Sequence, residues 1–277
     1  MRLGVRAHDF GRWPVEELAG RIALEGFACV QLAPPKAIAG FDTDAGRLSP
    51  GFAVQVREGF RRHGIQIAVL GCYINLADPD DAARARQLAR FKEYLRYARD
   101  FGCSVVGTET GSRNADYSFH PDNRGEAAFQ TVLAGVRELV AEAERFGVFV
   151  GVEGVERYVI SDPARIRRLL DEVGSQNLQI IFDPVNLLSP DNAARQDDLM
   201  RESFARFGER IAVVHAKDFV LQDGAIRSVP AGRGQLNYRL LAELVRAQKP
   251  YVDVLMEDTQ AATLAEDARF LQSQFGS

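Results

Sequence analysis

The stretch Phe146-Gly147-Val148-Phe149-Val150-Gly151-Val152-Glu153 (FGVFVGVE) joins a long amphipathic segment to a short apolar run through one glycine, and the run ends on a carboxylate. The segment before it, 125–146, spaces its apolar residues with a helical period, and a glycine just past such a segment can adopt the left-handed conformation that closes a helix. The run after it has the length and residue types of a buried strand. The same helix-glycine-strand junction recurs at Glu25-Gly26, His63-Gly64 and Phe101-Gly102.

Working outward from that junction, eight strand-like runs appear: 3–7 (LGVRA), 28–32 (ACVQL), 65–70 (IQIAVL), 104–108 (SVVGT), 148–153 (VFVGVE), 178–183 (LQIIFD), 211–215 (IAVVH) and 252–257 (VDVLME). Amphipathic segments at 15–25, 51–62, 80–101, 125–146, 163–172, 194–207, 238–247 and 264–275 follow them in alternation. Ser161-Asp162-Pro163 offers an N-cap with a proline at the first turn. Strict alternation with repeated glycine junctions predicts a single (β/α)8 TIM barrel, an α/β fold, over residues 1–277. No Gly- or Ser-rich linker divides the chain. The longer connections, 33–50, 111–124 and 219–235, all follow strands, on the face where barrels build their sites.

The composition, 46% hydrophobic and 26% charged over 277 residues, is that of a chain with ample core material. Its 34 basic and 38 acidic residues are interspersed, which argues against a nucleic-acid partner. Cys29, Cys72 and Cys103 are odd in number, far apart and set among apolar residues, as reduced thiols in a cytoplasmic protein would be. No secretion signal and no membrane-length apolar run is expected.

In a barrel, the residues that end the strands converge on one mouth however far apart they lie in sequence. Strand one runs toward His8 and Asp9, strand four ends at Glu109, strand five at Glu153, strand six at Asp183, strand seven at His215 and strand eight at Glu257. The seventh strand reads VVHAKDF over 213–219, delivering an imidazole where an apolar run stops. Taken singly, each of these could be a solvated strand end or a satisfied core histidine. Taken together, Glu153, Asp183, His215 and Glu257 form an oxygen-rich ligand set for a divalent cation, Mn2+ ahead of Mg2+, Co2+ or Zn2+. The lack of thiolates argues against a structural zinc, and carboxylates crowded at one mouth would repel one another strongly without a cation.

These residues resemble the xylose isomerase-like TIM barrels, and within them the sugar phosphate isomerase/epimerase group that includes ketose 3-epimerases. The resemblance lies in Gly151-Val152-Glu153, Phe182-Asp183-Pro184-Val185-Asn186, Val214-His215-Ala216-Lys217-Asp218, Leu255-Met256-Glu257 and the turn around Gly232-Arg233-Gly234. It implies one metal held by Glu153, Asp183, His215 and Glu257, with Glu153 and Glu257 also the catalytic acid and base. The implied activity is a metal-dependent isomerase or epimerase of a sugar, sugar phosphate or related polyol ketone, working through a metal-stabilised enediolate. The barrels of this family often pair, so a homodimer or homotetramer is expected. Where ketose 3-epimerases usually carry a histidine three residues after the strand-six aspartate, this chain has Asn186, which can hydrogen-bond a hydroxyl but cannot take up a proton.

Six further residues are candidates for substrate contact: Arg157, Asn186, Lys217, Glu109, His8 and Arg233. Arg157 could orient substrate or sit in a surface ion pair at the start of a helix. Lys217 could pair with Glu257 or Asp183 or polarise a substrate oxygen, and Glu109 could bind a hydroxyl or orient Arg157. Arg233 lies near the usual phosphate position of barrels, or is a solvated loop residue. Trp13 could stack on a sugar ring or pack at a helix start, and 114–120 (NADYSFH) could cover the mouth, with His120 at most a secondary contact. Two other functions share the fold: an endonuclease IV-like phosphodiesterase, which would need more histidine ligands and a basic rim, and a non-catalytic sugar-binding barrel, which has no need of two opposed carboxylates.

Overall fold

The computed structural model describes residues 1–41 and 45–276, so the expected connection 33–50 is described except at 42–44. Ten strands follow in chain order: β1 (Arg2–Arg6), β2 (Cys29–Leu32), β3 (Gln66–Gly71), β4 (Val105–Glu109), β5 (Phe149–Glu153), β6 (Leu178–Phe182), β7 (Ile211–Ala216), β8 (Asp218–Gln222), β9 (Ala225–Val229) and β10 (Asp253–Met256). Eight of them close a parallel barrel in the order β1-β10-β7-β6-β5-β4-β3-β2, each within one residue of its expected bounds. The helices are α1 (Val15–Leu24), α2 (Pro34–Ala37), α3 (Pro50–Arg62), α4 (Asp81–Tyr97), α5 (Glu126–Phe146), α6 (Pro163–Val173), α7 (Gln196–Phe207), α8 (Tyr238–Gln248) and α9 (Leu264–Phe275). All but the single turn α2 match an expected segment. No helix among the described residues is long and apolar enough to cross a membrane.

The junction that suggested the fold behaves as its chemistry requires. Gly26, Gly64, Gly102 and Gly147 all take positive φ, between 63° and 81°; three lie within two residues of the ends of α1, α3 and α5, whereas α4 ends at Tyr97 and Gly102 closes the turn beyond it. Asp162 caps α6 by accepting from the Arg165 amide at 2.9 Å, with Pro163 in the first turn.

One connection departs from the expected loop. β8 and β9 form an antiparallel hairpin between β7 and α8, turning on Asp223 (φ 52°) and Gly224 (φ 71°). Two consecutive positive φ angles match the right-handed twist of the strands, and Asp-Gly is a preferred pair for such a turn. The Asp-Gly signal was present in the sequence between two short apolar runs.

The core has two layers. A large cluster fills the space between the outer faces of the strands and the helices, with Val30, Phe91, Phe129, Val152, Phe182 and Leu241 among its members. Inside the barrel, Cys29, Val69, Val105, Ile181, Val213 and Leu255 form a separate buried plug. Side chains two residues apart on a strand share a face. The next inward positions above the plug are therefore Gln31, Gly71, Gly107, Asp183, His215 and Glu257, with Glu109 one step beyond Gly107. The same parity takes Gly4 to Arg6 and Gly151 to Glu153, so plug and site are successive layers of one arrangement.

Closing the plug requires small residues. A Cβ added at Gly4 would lie 2.3 Å from the Cys29 carbonyl oxygen and 2.7 Å from Leu255 Cδ2, and backbone in a barrel cannot retreat. At Gly107 the nearest atoms are the side-chain ends of Ile181 (2.7 Å) and Val69 (2.8 Å), which can yield. Gly4→Ala should lower unfolding free energy by about 1–3 kcal/mol, with Gly107→Ala costing less, as measured by urea denaturation.

Candidate active site

Four strands deliver Glu153, Asp183, His215 and Glu257 to the top of the plug, where one ligand atom from each lies within 4.8 Å of the others. All four are buried. His215 sits at the centre: its Nδ1 is 3.2 Å from Glu153 Oε1 and 3.2 Å from Glu257 Oε1, so the two glutamates approach the same nitrogen from β5 and from the end of β10. Its Nε2 is 2.7 Å from Gln31 Oε1. An amide oxygen can only accept, so Nε2 carries a proton; Nδ1, facing two carboxylate oxygens, carries the second in the metal-free imidazolium and is the nitrogen that would be freed for a cation. Gln31 is fixed in turn by donating to the Tyr73 hydroxyl.

Asp183 is held in a similar way. Its Oδ1 accepts from the amides of Val185 (2.8 Å) and Asn186 (3.2 Å). Its Oδ2 is buried and has no hydrogen-bond donor, although Lys217 Nζ lies 2.9 Å away as an ion-pair partner. Lys217 also donates to Glu257 Oε2 at 3.1 Å. Arg6 stands 3.6 Å from the same Glu257 oxygen while pairing with Asp9 and Asp258 at 2.7 and 2.8 Å. Asn186 Nδ2 donates to Glu153 Oε1 at 2.6 Å. A buried carboxylate oxygen with only the Lys217 ammonium beside it, two more carboxylates and an imidazole that can give up its Nδ1 proton make a donor set that fits a hard or borderline divalent cation. These four residues could hold one.

The electrostatics follow from burial and crowding. Burial alone would push the His215 pKa down, but the charges of Glu257 and Glu153 outweigh it and raise it to about 9. Burial raises Asp183 to about 6 against the pull of Lys217. Burial would also raise Glu257, yet His215, Lys217 and Arg6 hold it well below the usual carboxylate range. Burial with the nearby charges of Glu153 and Glu257 lifts Glu109 to about 7. The Lys217 ammonium is stabilised well above its ordinary value because Asp183, Glu257 and Glu153 overcome its desolvation.

Above the cluster opens a cavity of about 810 Å3. Of the residues singled out from sequence, Glu109, Glu153, Arg157, Asn186, Lys217, Glu257 and His8 line it. His8 is kept neutral, its pKa pushed down to about 3 chiefly by burial. Arg157 is exposed, donates to the Tyr158 hydroxyl at 3.2 Å and lies over that ring. Tyr117, in the 114–120 stretch, also lines the cavity, whereas His120 caps the following turn by accepting from the Asp122 amide.

One candidate is placed elsewhere. Arg233 is not at the mouth: its guanidinium is taken by Asp267 at 2.7 Å and Glu266 at 2.6 Å, outside the cavity wall. The glycines flanking it have structural causes, since Gly232 has φ 80° and a Cβ at Gly234 would lie 2.2 Å from the Phe219 carbonyl oxygen. Asp218 ties this turn down by accepting from the amides of Phe219, Gly232 and Leu236. Trp13 is a packing residue, donating to the Phe10 carbonyl at 2.7 Å beneath Arg21. Gln31, Arg6, Lys36 and Tyr73 were missed. The signal for Gln31 and Arg6 was a polar side chain at an inward position of an apolar strand.

The raised pKa values set a pH dependence. A carboxyl whose folded pKa lies above its unfolded value adds stability that is fully present below the unfolded pKa and is lost as pH rises through the folded one. Asp183 (to about 6) and Glu109 (to about 7) both act in this sense, their contribution being lost between about pH 4 and 7, and His215, raised to about 9, extends the loss upward from about pH 6.5. Glu257 acts oppositely, but only in acid. Metal-free protein should therefore lose stability progressively between about pH 4 and 9, a trend that urea titrations at stepped pH would reveal and that an added divalent cation should weaken.

Comparison with known proteins gives this architecture a context. The chain is 24% identical over 197 residues to the L-ribulose-5-phosphate 3-epimerase UlaE of Escherichia coli, a match covering 70% of this chain and 64% of that enzyme's length. Its fold superposes on that of a D-psicose 3-epimerase determined in the presence of D-fructose, with TM-score 0.75, 17% identity and full coverage of both chains. It also superposes on the IolI protein with a bound zinc atom, with TM-score 0.74, 14% identity and full coverage of both. The family model of the xylose isomerase-like TIM barrel matches residues 20–274, nearly the whole chain, and to that family the chain belongs.

Proposed function

We propose that this protein is a divalent-metal-dependent isomerase or epimerase that moves a proton at a carbon next to the carbonyl of a sugar or sugar phosphate. The observation that carries the proposal is the placement of Glu153 and Glu257 on either side of His215 Nδ1, both at 3.2 Å, at the floor of a cavity large enough for a sugar. A carbon acid next to a carbonyl needs one group to remove the proton and another to return it. Two carboxylates from different strands provide both.

Glu153, Asp183, His215 and Glu257 are the residues that would hold the cation, which when bound supplies Lewis-acid stabilisation of the charge developing on the substrate's carbonyl oxygen. The rest is the work of this chain's own side chains. Asn186 fixes Glu153 by donating to its Oε1 at the cavity wall. Lys217 and Arg6 hold Glu257 ionised, the state from which a general base must start. The Glu109 carboxyl, with its pKa near neutrality, suits hydrogen exchange with a sugar hydroxyl. Asn186 cannot carry a proton itself, so proton transfer falls to the glutamates. The relatives named above support this reading through the ketoses they act on and the zinc that IolI carries. The phosphodiesterase alternative is disfavoured because the cluster contains one imidazole only.

The test is incorporation of deuterium from solvent into a panel of ketoses and their phosphates by protein of known metal content. Exchange should require a bound divalent metal. Glu153→Gln and Glu257→Gln should each reduce it by roughly 10^2–10^4-fold, the weight of a general acid or base. Absence of exchange with every sugar tried, or undiminished exchange in both variants, would defeat the proposal.

A further inference from the structure

Beside the main cavity is a second chamber of about 180 Å3, between the end of β2, the end of β3 and helix α4. It shares Lys36 and Tyr73 with the main cavity. Its charged wall residues are Lys36 and Arg90 alone, facing Tyr73, Cys72 and Tyr94. No carboxylate lines it.

Among the described residues neither cation forms a close ion pair with a carboxylate, although the charge of Glu109 reaches Lys36 from the main cavity. Lys36 lies over the face of Tyr73, 4.2 Å from the ring centre. Arg90 donates to the Tyr73 carbonyl at 2.8 Å and meets the Cys72 thiol, neither of which neutralises its charge. The nearest carboxylate on the same helix, Glu93, does not line the chamber and is occupied by the amides of Gly46 and Leu48 at 2.7 and 2.9 Å. Most arginines of α4 and its neighbours are satisfied by contrast, as in the pairs Arg84–Asp81 and Arg96–Glu142. Burial further lowers the Lys36 pKa, so an anion beside it would restore what desolvation removes.

The partition between the chamber and the cation-binding cluster is thin. His215 Nε2 contacts Gln31, Gln31 donates to the Tyr73 hydroxyl, and the Tyr73 ring carries Lys36. A sugar with its carbonyl at the cluster would have its far end at this wall. With Arg233 engaged elsewhere by Glu266 and Asp267, the anion position expected from sequence after β7 is closed.

We propose that the Lys36–Arg90 chamber binds an oxyanion at the end of the substrate remote from its carbonyl, a phosphate ester or a carboxylate, making this enzyme selective for anionic ketoses. A planar guanidinium fork and an ammonium on opposite sides suit a tetrahedral or planar oxyanion. The assignment rests on the sugar isomerase reading above, but binding of the anion does not.

Two measurements separate them. Inorganic phosphate titrated calorimetrically into the metal-loaded protein should bind, and affinity should fall roughly 10- to 100-fold in Arg90→Met, the weight of a charge-assisted contact. Arg90→Lys should recover part of the loss, and Lys36→Met provides a second variant should Arg90→Met not fold. In the exchange assay, the ratio of kcat/KM for a ketose phosphate or a keto sugar acid to that for a neutral ketose should fall by the same factor in Arg90→Met. Whichever anion shows the larger fall is the source of the oxyanion. Phosphate binding unchanged in both variants, or a ratio unaffected by them, would overturn the inference. Phosphate binding lost in Arg90→Met with no exchange in any sugar would overturn the assignment to a ketose and the isomerase reading, leaving only an anion site.

Discussion

Three carboxylates and one imidazole bring their ligand atoms to within 4.8 Å of one another in a buried layer, and the rest of the mouth is arranged around that crowding. Two like charges about 4 Å apart repel by about 4 kcal/mol at an effective dielectric of 20. Three such repulsions together rival the net stability of an ordinary domain. Positive charge must therefore be close. Lys217 meets Asp183 and Glu257 together, Arg6 approaches Glu257 from β1, and His215 holds a proton to about pH 9. Even so, three carboxylates face one lysine, one arginine and one imidazole that are shared among them, and a divalent cation would relieve that crowding.

The barrel makes this concentration possible because inward positions alternate along each strand. The plug residues Ile181, Val213 and Leu255 stand two positions before Asp183, His215 and Glu257. An apolar layer below shields the charged layer, and the charged layer forms the floor of the cavity. Packing and chemistry are thus set by one geometric rule, and a change in strand register would lose both at once.

Much of this was legible in the sequence. Glycine junctions such as Phe146-Gly147 mark helix ends by a steric rule that tertiary structure rarely overrides, and all four junctions take the left-handed conformation. The cluster was legible because each member directly ends an apolar run, so strand position alone brought it to the mouth. What was hidden depended on side-chain direction across the barrel. Gln31 and Arg6 looked like interruptions of short apolar strands, yet one fixes the tautomer of His215 and the other supports Glu257. Arg233 misled because a Gly-x-Gly turn reads the same whether its glycines make room for a ligand or, as here, for the Phe219 carbonyl and the Phe270 ring. Lys36 and Arg90 come together from β2's connection and α4, a meeting that no local pattern encodes.

The central claim, that one divalent cation belongs among Glu153, Asp183, His215 and Glu257, is most directly tested by diffraction from manganese-soaked crystals at the manganese absorption edge. The account predicts a single strong anomalous peak within bonding distance of an oxygen from each of the three carboxylates and of His215 Nδ1. A peak elsewhere, or none at that position, would contradict it.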